Sequence, residues 1–210
     1  MKHIFLIVLL LSFLFIFSGC NNPTSTNTTT TQTATATVEQ SAFTSSVNSA
    51  DNGTKYNAGY LEYLWVAPLS GSPPLTNTLK EAVYMKFILP SIPSGATIES
   101  ATLNIRITTL DASCTTTITQ VTSAWDKTTI SVTNEPTEGS VAAYIISTDV
   151  GSNSFDITSL VRDWVGGTSA NYGVKVFPSG ASNGAGTDNL TRFSDHDDVQ
   201  NYPRITIRYH

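Results

Sequence analysis

Charge is what this sequence has least of. Of its 210 residues 13% are charged, eleven basic and sixteen acidic, which is about half the roughly 25% of an ordinary soluble domain. The formal net charge of −5 supplies no chain-wide basic field, so no nucleic acid partner is expected. Cysteine is almost missing: Cys20 and Cys114 are the two present, too few for a disulfide framework. No heptad is sustained and no period of 20 to 50 residues recurs, which excludes coiled coils and solenoids. The one long apolar run, residues 4–17, is shorter than the about 20 residues a spanning helix needs. There is no Gly-x-Ser-x-Gly elbow, no His-Glu-x-x-His pair and no phosphate-cradling glycine loop. The glycines of residues 179–186 lack a strand-to-helix context and read as a surface loop. Thr, Ser and Asn are abundant instead, and β-branched hydroxyls with few charges point to an extracellular β-protein.

The amino terminus has its own logic. Lys2 precedes the apolar run, which ends in Phe17-Ser18-Gly19-Cys20. This is the layout of a signal peptide, and its end resembles the lipobox of bacterial-type lipoproteins. The resemblance implies that residues 1–19 are removed and that Cys20 is lipidated, so the chain touches the membrane through a lipid anchor only, at the cell surface. The plainer alternatives are an uncleaved anchor or an ordinary signal peptide. Residues 20–41 follow as a Thr/Ser/Asn-rich segment with almost nothing to bury, expected to be a disordered stalk, glycosylated or bare. Residues 42–210 are expected to be one folded domain.

Within it, period-two alternation is clearest at residues 101–108, where Ala101, Leu103, Ile105 and Ile107 share one face and Thr102, Asn104, Arg106 and Thr108 the other. The same pattern recurs at 83–87, 173–177 and 204–209. Further strands are expected at 43–48, 61–66, 115–121, 141–147, 153–156 and 189–194. Residues 156–164 alone suggest a helix: Leu160 and Trp164 are four apart, Asp156 or Thr158 caps the start, and Gly166-Gly167 ends it. The expected fold is all-β, a jelly-roll-like antiparallel β-sandwich with one short helix.

Four blocks in order carry a family resemblance across residues 42–210. The first runs from Tyr84-Met85-Lys86-Phe87 through Leu89-Pro90 to Ala101-Thr102-Leu103; the second is Ala124-Trp125-Asp126 with Asn134-Glu135-Pro136. The third is Phe155-Asp156-Ile157 to Asp163-Trp164 before Asn171-Tyr172-Gly173-Val174, and the last is Phe193-Ser194-Asp195-His196-Asp197-Asp198 before Pro203-Arg204-Ile205. Together they resemble the DNRLRE domain, a secreted jelly-roll module of disaggregatase-related surface proteins that is similar to alginate-binding modules. The resemblance implies engagement of polysaccharide. Two departures stand out: where the family's final loop commonly has a Ser, a basic residue and a Glu, this sequence has Ser194-Asp195-His196-Asp197-Asp198, and residues 69–79 lengthen an early loop.

Candidate site residues follow from the strand faces. Lys86, Arg106, Lys175, Arg204 and Arg208 lie on polar faces of the four clear strands. If the sheet order gathers them, they form a positive strip that would bind an acidic polysaccharide or other glycan through charge-assisted hydrogen bonds, with Tyr84 and Asn104 adding contacts. Ordinary solvated strand faces are the alternative. Trp125 and Trp164 read as core or corner residues; Trp65 reads as core or as a stacking platform. Asp195, Asp197 and Asp198, with Asp188, Asp51 and Asn52 elsewhere, are oxygen donors of the kind Ca²⁺ selects, so a structural Ca²⁺ is an option and no cofactor is required. Asp126, Glu135 and Asp156 are not spaced as a catalytic pair, and Cys114 reads as a small buried hydrophobe. Non-catalytic glycan binding is therefore expected first, a protein-contacting envelope role second, and a polysaccharide hydrolase or lyase third. Oligomeric state is not written in the sequence.

Overall fold

The computed structural model describes residues 30–45, 54–55, 60–66, 81–111, 113–179, 188–194 and 200–210. Its strands are β1 (Gln32–Ser45), β2 (Thr54–Lys55), β3 (Tyr60–Val66), β4 (Glu81–Ile88), β5 (Ile98–Leu110), β6 (Cys114–Val121), β7 (Glu138–Ser147), β8 (Gly151–Asp156), β9 (Val174–Ser179), β10 (Asp188–Ser194) and β11 (Arg204–Tyr209), with one helix, α1 (Thr158–Val165). Every strand pairing is antiparallel. Hydrogen bonding runs in the order β3-β10-β5-β11-β1-β4-β9-β6-β7, with β2 on β1 and β8 on β5. The all-β antiparallel sandwich with one short helix is the fold the alternation predicts.

Strand β1 joins the two layers. Its first half pairs with β11, from Gln32↔Tyr209 to Thr37↔Arg204, and its second half pairs with β4, with an irregularity between Val38 and Gln40. A bulge of this kind bends a strand and sharpens its twist, which lets one strand serve both sheets. The inward residues then meet: Leu103, Ile105, Ile107, Phe155, Phe193, Ile205 and Ile207 from one layer, and Val83, Met85, Phe87, Ile118, Val174 and Val176 from the other, form one buried core.

Two expectations need correction. Residues 32–41 are strand, not stalk: the sheet begins ten residues before position 42. The composition there is polar, but Ala34, Ala36 and Val38 turn inward while Thr33, Thr35 and Thr37 stay exposed. Small apolar residues suffice because the backbone bonds to β11 and β4 do the ordering.

The second correction concerns β4, whose outward face was expected to be solvated. Ala82 and Tyr84 on that face are fully buried, in a second small cluster with Ala42, Val121 and Ile130. The cover is the connection between β6 and β7. Its Trp125 ring lies 5.8 Å from the Tyr84 ring and donates through Nε1 to the Tyr172 carbonyl at 2.8 Å. Gln40 holds the cover at two points, donating to the Trp125 carbonyl at 3.0 Å and accepting from the Lys127 amide at 3.1 Å. Thr44 adds a bond to Glu135 at 2.7 Å. Trp125, Asp126 and Glu135 are thus parts of a plug over the sheet.

Helix α1 buries Leu160, Val161 and Trp164. The Asp156 carboxylate accepts from the Thr158 amide at 3.0 Å and hydroxyl at 2.6 Å, and Gly167, at φ 73°, ends the helix. The Arg162 guanidinium donates to the Ile98 carbonyl at 2.9 and 2.7 Å, tying the helix to the start of β5.

These local bonds carry a pH prediction. The Thr128 hydroxyl and amide hold Asp126 below the usual carboxylate range, and the Thr158 hydroxyl and amide do the same for Asp156. A carboxyl whose folded pKa is lowered contributes stability above its unfolded value, near 4, and loses it as pH falls through the folded value. The melting temperature is therefore expected to fall below about pH 4, and Asp126→Asn with Asp156→Asn should flatten that acid limb. An unchanged acid limb in the double variant would contradict this account.

Candidate functional site

The outward face of the layer containing β1, β11, β5 and β8 is where polar side chains converge. One rung reads Thr37, Arg204, Asn104, Ser154 across those four strands. The next position along β5 is Arg106, opposite Ser152. Residues on the same side of adjacent strands, offset by two, lie about 7–8 Å apart, so Arg106 and Arg204 flank Asn104. The Ser154 hydroxyl donates to Asn104 Oδ1 at 2.9 Å, and Asn104 Nδ2 donates to the Thr102 carbonyl at 3.3 Å. A small recess is lined here by Asn104, Arg106, Ser152, Tyr202 and Arg204. The Arg204 guanidinium lies 6.0 Å from the centre of the Tyr202 ring. Both arginines are exposed, and among the described residues neither forms an ion pair.

The other candidates go elsewhere. Arg208 shares the face but sits further along β11, opposite Ser100. It is 3.9 Å from Glu99, whose carboxylate also accepts from Thr31 at 2.9 Å and contacts His210 at 2.8 Å. The His210 and Thr31 bonds lower the Glu99 pKa. Lys86 and Lys175 lie on the opposite layer and are neutralised, Lys86 by Glu39 at 2.9 Å and Lys175 by Glu138 at 2.6 Å. The five basic residues therefore form no single strip.

Tyr84 is fully buried beneath Trp125, and among the described residues its hydroxyl has no hydrogen-bond partner. Burial and the nearby Glu135 and Glu138 push its ionisation far upward. It is a core residue. Tyr84→Phe removes an unsatisfied buried group, so thermal unfolding should show stability unchanged or raised by about 1 kcal/mol, with glycan affinity unaltered; a weakened binder would overturn this placement.

Cys114 is buried, and burial raises its thiol pKa, the reverse of a reactive thiolate. Trp164 belongs to the main core and Trp125 to the plug. An end cleft of about 590 Å³ between α1 and β7 presents Glu99, Asp156 and Asp163. Glu99 and Asp156 are held ionised by their hydrogen bonds, whereas a glycosidase acid needs a raised pKa. Cys20, Asp51, Asn52, Asp195, Asp197 and Asp198, and the side chains of Trp65 and Asp188, lie outside the described residues. Among the described residues no group of three or more His, Cys, Asp and Glu is set to hold a metal.

Sequence reasoning missed Thr37, Ser152, Ser154 and Tyr202 as members of the arginine-bearing face. Thr37 was hidden by its polar context, although the Thr-Ala alternation of residues 33–37 was a strand signal. The others become neighbours only through sheet register.

Residues 32–208 match the model of carbohydrate-binding module family 96. No curated protein matches the chain.

Proposed function

The chain belongs to carbohydrate-binding module family 96, and we propose that it binds acidic polysaccharide, without cleaving it, on the outward face of β1, β11, β5 and β8. The observation that carries this reading is the pair Arg106 and Arg204 flanking Asn104, exposed and without an acidic partner among the described residues. A guanidinium presents a planar fork of donors that matches a carboxylate or sulfate two bonds at a time. Asn104, Ser152 and Ser154 add donors and acceptors for sugar hydroxyls, and Tyr202 adds a ring beside Arg204. Binding of this type is an equilibrium, steered by charge and weakened by salt.

The test is a glycan array carrying alginate, pectin and sulfated polysaccharides beside neutral glycans. The soluble fragment must begin upstream of Gln32, for example residues 21–210, because β1 is the seam of the sandwich. Salt-sensitive binding to acidic glycans with no released oligosaccharide is expected. Release of oligosaccharide would replace the reading with an enzymatic one. Binding only to immobilised proteins would replace it with an adhesive role.

We also propose that Cys20 anchors the chain to the outer face of a membrane through lipid, as the lipobox-like Phe17-Ser18-Gly19-Cys20 suggests. Cys20→Ser is expected to move the protein from the membrane fraction to the medium. Continued membrane retention of that variant would remove the proposal.

A further inference from the structure

The outward face of the opposite layer holds a second feature that the arginine face does not use. Strand β6 places Thr115 and Thr117 there and lies between β7 and β9, while Thr119 is buried. Thr117 is directly opposite Tyr144 on one side and Phe177 on the other. With strands spaced about 4.8 Å apart, the two aromatic positions face each other across about 10 Å of sheet. The result is a trough with a hydroxyl floor and apolar walls. Its β7 wall is unusually bare: Tyr144 is 72% exposed and Ile146 68%. Large apolar side chains in a row on an edge strand are a liability that soluble domains ordinarily avoid, so their retention calls for an occupant.

The charge of the trough narrows that occupant. Among the described residues its one cation, Lys175, is 5.7 Å from the Phe177 ring centre and is neutralised by Glu138 at 2.6 Å. A lysine so neutralised offers a polyanion little, in contrast to Arg106 and Arg204. Aromatic walls suit the C–H faces of pyranose rings, and the threonine floor suits their hydroxyls. We infer that this trough is a second carbohydrate-binding site, for extended uncharged glycan chains, which makes the module bivalent. The inference rests on the family's carbohydrate-binding role and is independent of the arginine-face assignment.

Affinity electrophoresis tests it with the full-length protein in mild detergent, on gels containing neutral glucomannan or hydroxyethylcellulose. The chain is expected to be retarded at low and high salt alike. Tyr144→Ala, at an exposed position that leaves the core untouched, should weaken that retardation about tenfold; Phe177→Ala should do the same, with melting temperature checked for both. The Arg106→Gln/Arg204→Gln variant should keep its neutral-glycan binding, so failure of one face is distinguishable from failure of the other. No retardation by either neutral glycan overturns the inference, as does retardation that survives both aromatic substitutions. A Tyr144-dependent dimer in sedimentation, without glycan retardation, also overturns it and assigns the face to a second copy of the chain.

Discussion

Replacing Arg106 and Arg204 together by Gln is expected to lower affinity for an acidic polysaccharide about a hundredfold. The magnitude follows from the bond type. A hydrogen bond to a charged group contributes about 1.5–3 kcal/mol, and the exposure of these side chains argues for the lower end, so each loses about tenfold. The single variants should divide that loss nearly equally. Gln keeps a donor but removes the charge, so the remaining affinity should also lose most of its salt dependence. Arg→Lys at either position is expected to restore charge without the two-bond fit, and so to recover only part of the binding. Lys86→Gln and Lys175→Gln provide the contrast: both lysines already hold carboxylates, at 2.9 and 2.6 Å, and lie on the other layer. They should change acidic-glycan affinity by less than about threefold. Isothermal titration against defined oligouronates measures all of this. Equal losses from the lysine and arginine pairs would show that the ligand does not distinguish the two faces, and would remove the assignment.

The largest effect on stability is expected from Gly173→Ala. Gly173 sits at φ 88°, a conformation that an L-residue with a side chain rarely adopts. An added Cβ would also lie 2.1 Å from the Met85 carbonyl oxygen and 2.8 Å from the Lys86 Cα. Those atoms are backbone of β4, so no rotamer change relieves the overlap. The neighbourhood is cross-braced: Asn171 donates to the Phe87 carbonyl at 2.8 Å and accepts from the Gly173 amide at 3.1 Å, while the Gly173 carbonyl accepts from Val121 at 3.0 Å. Backbone strain of about 1–3 kcal/mol adds to an overpacking cost of about 1–3 kcal/mol. A loss of about 3 kcal/mol or more follows, which lowers the melting temperature by roughly 10 °C in a domain of this size. Gly95→Ala is the control, with positive φ but open space around the added Cβ; it should cost about 1 kcal/mol. Equal shifts in the two variants would mean that the β4 contact plays no part.

Much of this fold was legible before any coordinates. The alternation of residues 101–108 became the inward Leu103, Ile105 and Ile107 of β5, and the Gly166-Gly167 stop became the end of α1. The misreadings share one cause: each judged a face from its own strand. Residues 33–37 look too polar to fold, yet β11 and β4 provide the hydrogen bonds that order them. Tyr84 reads as outward beside Lys86, which is correct for the sheet, but the connection carrying Trp125 then covers it. The arginines show the same limit, since Arg106 and Arg204 are 98 positions apart in the chain and become neighbours only through the pairing of β5 with β11.

What the sequence by itself determined is the all-β architecture, the helix with its glycine stop, and which side of the clearest strands carries apolar groups. The expected Asp156 or Thr158 cap is not formed, since Ile157 stands at that position without a side-chain bond. A two-residue period and a glycine stop are local, and local sterics and burial enforce them. What only the tertiary structure decided is which outward side chains share a surface: Arg106 with Arg204, Tyr144 with Phe177 across Thr117, and Tyr84 with its cover. Register between distant strands is settled by the packing of the whole core, because a one-residue slip would turn every buried side chain outward. The two faces proposed to hold sugars are products of that choice.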